Sequence, residues 1–178
     1  MAKLRKMLGD IHSPECTAMM RLIETQSEAT LACWALGFVQ ESIAGIYCKK
    51  AADCQRLCVI LYVCLKTALQ SLPEKTMKPL IKEANQIARE TEDPIAQAAA
   101  RAIAAACGTL TTPTNALGFL FYAAAAWIYD QSSDFTAEET DALTRQFWRQ
   151  AHASLSLRRF RMNPIPPKYN GIVSRAGN

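Results

Sequence analysis

Helix-start signals recur along the whole chain, and no run of alternating polar and apolar residues competes with them. Ser13-Pro14-Glu15 and Asp93-Pro94 each set a capping side chain before a proline, whose missing N–H costs nothing at the first helical position. Thr136-x-x-Glu139 is a capping box, in which hydroxyl and carboxylate each accept from the other residue's amide. Ser27, Asp53 and Thr114 or Asn115 are further caps, and Pro73 or Thr76 reopens helix after the break at Ser71-Leu72-Pro73. These signals predict seven helices, at about 14–24, 27–47, 53–70, 73–90, 93–108, 114–129 and 136–157. The fold class is therefore all-α, a single-domain bundle or stacked array of about seven antiparallel helices over residues 1–161. Residues 162–178, with Pro164, Pro166 and Pro167, read as an extended C-terminal strap.

A chain of 178 residues, 50% of them apolar, suits one domain whose core needs no disulfide or metal staple. Seven Gly and eight Pro are too few for a collagen-like, disordered or turn-rich β chain. No apolar stretch of signal-peptide length follows Lys3, Arg5 and Lys6. The longest apolar runs, 57–65 and 116–129, fall short of the roughly 18 residues of a membrane span. Seven cysteines make an odd count without a disulfide framework, and the expected compartment is the cytoplasm. Cys54 and Cys58 share a helix face at ligand-like spacing, but His12 and His152 are the only histidines and neither pairs with them in sequence. The cysteines read as core residues, with no metal and no cofactor expected.

Three segments invite a functional reading. The first is the run from Leu57 to Leu65, apolar on every side, which should be the central helix or the seam of a homodimer. The second is the charge distribution. Asp130, Asp134, Glu138, Glu139 and Asp141 form an acidic corner with no base among them, a surface suited to a basic protein partner. Arg158, Arg159, Arg161, Lys168 and Arg175 give the C-terminal end five positive charges and no acid. That end, interleaved with Phe160 and Tyr169, could contact nucleic acid, although five charges without a flat basic face favour a strap with solvated arginines. The third is a groove. Eight of the eleven residues 96–106 are alanine, and Arg89, Glu90, Gln97, Arg101, Thr114, Asn115 and Tyr122 stand on or beside this floor of small side chains. No Gly-rich phosphate loop, nucleophile elbow or His-Glu-x-x-His pair is present, so the chain is not read as an enzyme.

Lys3-Leu4-Arg5-Lys6-Met7-Leu8-Gly9-Asp10, Leu22-Ile23-Glu24-Thr25-Gln26-Ser27, Ala88-Arg89-Glu90 and the segment 96–103 together resemble a bacterial family of immunity proteins, the immunity-protein-5-like domain. Thr112-Pro113-Thr114, Gly118, Phe121, Tyr122, Tyr129 and Asp130 continue the resemblance, and Asn163-Pro164 through Lys168 matches the family's proline-containing end. The resemblance implies an all-α protein that binds and neutralises a cognate toxin by stoichiometric occlusion. Where the family carries histidines, this chain has Asn85, Thr111 and Asn115, so no histidine-dependent role carries over. Two other readings stand beside it: a nucleic-acid-associated helical protein using the basic tail, and a small-molecule enzyme with a groove near Arg101 and Tyr122. The expected partners are thus a toxin and a possible second copy, with no membrane, and with nucleic acid only under the second reading.

Overall fold

A computed structural model describes residues 3–159; the expected strap at 162–178 and most of the basic tail lie outside them. The described chain is all helical, with eight α-helices: α1 Pro14–Glu24, α2 Glu28–Ser42, α3 Ala44–Lys50, α4 Cys54–Leu69, α5 Lys78–Glu90, α6 Pro94–Gly108, α7 Asn115–Gln131 and α8 Ala137–Arg159. Several caps act as their side chains dictate. Ser13 Oγ accepts from Cys16 N–H and Ser27 Oγ from Thr30 N–H, both at 3.1 Å. Asp93 Oδ1 accepts from the amides of Ile95 and Ala96. In the capping box, Thr136 N–H donates to Glu139 Oε2 at 2.8 Å, and Glu139 N–H donates to Thr136 Oγ1 at 3.1 Å.

The helices depart locally from the sequence-based expectation. The helix expected over 27–47 breaks at Ile43 (φ −120°), bending α3 by 43° from α2. Ile43 is fully buried, so the bend turns the apolar faces of both halves onto one core. Asp53 occupies the N-cap of α4 but makes no side-chain cap bond. Between α4 and α5, Glu74–Met77 winds as a single 3-10 turn before Pro79 settles into the first turn of α5. Ser71 ends α4 with φ +50°, and the Leu72 and Ser71 amides reach back to Thr67 O and Ala68 O at 3.1 and 3.4 Å. This is a Schellman closure with serine where glycine is usual.

The innermost helix is α6, not the 57–65 segment. α6 packs on α2, α3, α4, α5 and α7. Seven of its alanines are buried, and their single methyl groups let five neighbours crowd around one axis. α4 instead buries Leu57, Ile60, Leu61, Cys64 and Leu65 on one side and leaves Val59 exposed on the other. Its all-round apolar composition hid that one-sided burial. Residues of α2, α7 and α8 form an aromatic cluster in which Trp34 meets Phe119 edge-on at 5.2 Å and Phe38 meets Phe147 at 5.8 Å. Trp34 Nε1–H donates to Ser154 Oγ at 2.9 Å, satisfying the indole as it is buried.

The N-terminal segment before α1 is tied to this body. Leu8 N–H donates to Phe121 O at 3.0 Å, and Trp148 Nε1–H donates to Leu8 O at 3.3 Å. Gly9 follows at φ +148°, where a Cβ would come within 2.8 Å of the Phe121 ring and 2.9 Å of Trp148. Only glycine fits between those rings. No single described helix is long and apolar enough to cross a membrane.

Candidate functional site

The acidic corner lies where α7 ends and α8 begins. Its five carboxylates do not act alike. Asp130 Oδ2 accepts from Lys49 Nζ at 2.6 Å, and Asp141 Oδ1 accepts from Arg5 at 3.2 Å. Glu139 is committed to the capping box. Asp134 and Glu138 are exposed and form no ion pair among the described residues. The corner that lacks bases in sequence is thus flanked in space by Lys49 and Arg5, which partner its two ends and leave the middle negative.

The groove residues do not all converge on one place. Arg101 on α6 lies over the Tyr122 ring on α7, 5.9 Å from its centroid, and is partly buried. Its Nε is buried without a hydrogen-bond partner among the described residues, so the π face is the contact its charge does make. Gln97, one turn earlier on α6, donates to Thr91 O at 3.0 Å and ties α6 to the α5–α6 connection. Asn115, partly exposed, sets its amide against Gly108, where a Cβ would come within 2.6 Å of Nδ2. A Cβ at Gly118 would meet nothing within 4 Å, so the surface between Asn115 and Tyr122 is open. Arg89 and Glu90 are exposed on α5 and both bond Gln86 on their own helix. Thr114 is exposed at the start of α7 and makes no side-chain cap bond. The α6–α7 face therefore brings Arg101 and Tyr122 together and leaves Arg89 and Glu90 as solvated surface.

Two features lie outside the sequence expectation. Pro14, Glu15, Ala18, Trp148, Arg149 and His152 line a cleft of about 300 Å³ between α1 and α8. Glu15 Oε1 accepts from Arg149 at 3.0 Å, while Oε2 is buried without a hydrogen-bond partner among the described residues. The second feature is a group of thiols that could ligate a metal: the sulfurs of Cys48, Cys54 and Cys58 lie within 4.8 Å of one another. The i, i+4 spacing of Cys54 and Cys58 is visible in sequence. Cys48 is not, because its position depends on the bend at Ile43 and the short turn after Lys50.

The Imm-5 like putative immunity protein family matches residues 21–152, from the last turns of α1 into α8. The chain belongs to this family. The matched span contains α2 to α7 whole, and with them the Arg101–Tyr122 face, the acidic corner and the three clustered thiols. No curated protein and no solved structure matches the chain.

Proposed function

We propose that this immunity-family protein neutralises a cognate bacterial toxin by binding it one to one and occluding it, with no chemistry of its own. Family membership across most of the helical body is the observation that carries the reading. The cytoplasm is the compartment that goes with it, and no disulfide joins any two cysteines among the described residues.

The acidic end of the α7–α8 connection is the surface we assign to the toxin. Asp134 and Glu138 project an uncompensated negative charge, and exposed charges of this kind steer a basic partner into encounter more than they hold it afterwards. Lys49 and Arg5 limit the patch at its two sides by pairing with Asp130 and Asp141. The apolar anchors that close the complex would lie beside this rim, since affinity comes from the desolvated centre of an interface.

The test is protection of cells expressing a candidate toxin, with association followed on the purified pair. Asp134→Lys with Glu138→Lys should lower the association rate at low salt by about tenfold and leave helicity unchanged. Glu139 is left intact because its loss would also break the cap of α8. An association rate and protection identical to wild type would remove this surface from the proposal.

A further inference from the structure

Cys48, in the last turn of α3, faces Cys54 and Cys58, in the first turns of α4, across the short connection 51–53. The Cys48 and Cys58 sulfurs are already in contact at 3.4 Å, and all three lie within 4.8 Å of one another. A metal bound by three sulfurs at about 2.3 Å would hold them roughly 3.8–4.0 Å apart, inside that range. To reach that spacing the Cys48–Cys58 pair would open from its 3.4 Å contact by roughly half an ångström. We propose that Cys48, Cys54 and Cys58 form a three-thiolate site for a soft d10 cation, with Cu(I) the best fit.

The choice of metal follows from the donors. Among the described residues three sulfurs converge, with no imidazole or carboxylate in the group. Soft thiolates select Cu(I) or Zn(II) over hard cations. Structural zinc is almost always four-coordinate, whereas this cluster offers three ligands from the chain, which suits a trigonal monovalent ion better.

The helix end and burial act in opposite directions on the sulfurs. Cα–Cβ bonds point towards a helix N-terminus, so Cys54 and Cys58 lean towards the positive end of α4. Asp53, the N-cap residue, makes no side-chain bond to the first-turn amides, which leaves that end without its usual oxygen acceptor. Burial, and then the neighbouring thiols, push the Cys48 thiol up, and burial pushes up that of Cys58. A cation among the sulfurs removes the mutual repulsion that opposes ionising them together. Cys58 is buried and Cys48 and Cys54 are partly exposed, so an ion has a route in from the surface. The bound ion would cross-link the end of α3 to the start of α4 and stiffen the corner opposite the Ile43 bend.

The experiment is anaerobic transfer of Cu(I) from a chromophoric bicinchoninate complex to the full-length reduced protein. One equivalent should leave the chelator, and Cys48→Ser and Cys54→Ser should each weaken uptake at least tenfold while circular dichroism stays helical. Cys33→Ser, which alters a thiol outside the cluster, should bind like wild type. X-ray absorption of the loaded protein should show three sulfur neighbours at one distance. Failure to take copper from the chelator would overturn the site, as would full affinity in Cys48→Ser. Loss of uptake in Cys64→Ser with retention in Cys54→Ser would also overturn it, by moving the metal to Cys64 and Cys107, whose side chains are hydrogen-bonded to each other between α4 and α6. So would conversion of Cys48 and Cys58 to a disulfide with no copper taken up before oxidation.

Discussion

Ser71 closes α4 in a left-handed conformation that costs an L-residue with a Cβ more than it costs glycine. The hydrogen bonds of the closure are backbone only, and the side chain is exposed, so nothing else is lost by removing it. Ser71→Gly should raise unfolding stability by up to about 1 kcal/mol, read as a higher urea midpoint at unchanged slope. A lower midpoint would show that the serine hydroxyl contributes more than the backbone geometry costs. Ser71 reads in sequence only as part of a break, because local composition marks where a helix ends and not the φ it ends on. Gly9 is less legible still. Its requirement for glycine comes from Phe121 and Trp148, more than a hundred residues away, and no local pattern signals it.

The helices themselves are the most legible level. Ser13, Ser27, Asp93 and the Thr136/Glu139 box each cap where their chemistry predicts, since capping depends on residues within one turn. Thr136→Ala should therefore cost about 1 kcal/mol, measurable by chemical denaturation, and no loss would mean that α8 is held by packing alone. Which helix lies innermost was not legible from hydropathy. The alanine-rich α6 scores as less apolar in bulk than the 57–65 segment, yet small side chains are what a helix needs to be surrounded. Ala100 is fully buried on α6, so a larger side chain there would press on the helices packed around it. Ala100→Leu should destabilise by about 1–3 kcal/mol through overpacking, seen as a fall in the thermal midpoint. A neutral result would mean that α6 is not the packing axis.

At the scale of the whole molecule, charges far apart in sequence determine which surfaces are free. Lys49 and Arg5 partner Asp130 and Asp141 over separations of 81 and 136 residues, and the exposed acid is left at Asp134 and Glu138. The composition of the corner was legible; its partial neutralisation was not, because it is a product of the fold. The Arg101–Tyr122 pairing is intermediate: both residues stand out against the small side chains around them, but their stacking across α6 and α7 needs the antiparallel register. Exposed ion pairs such as Arg5–Asp141 contribute about 0–1 kcal/mol each, so the surface can be re-patterned without unfolding the chain. That separability of surface from core is what lets binding be tested apart from stability. The proposed mode of protection is stoichiometric occlusion, not turnover of a small molecule at the Arg101–Tyr122 face. Titrating the toxin's activity with this protein, at concentrations well above their dissociation constant, separates the two. Occlusion predicts a linear fall in activity that ends at one equivalent and is matched by a complex of the two chains; complete protection at a small fraction of an equivalent, with no complex formed, would contradict it.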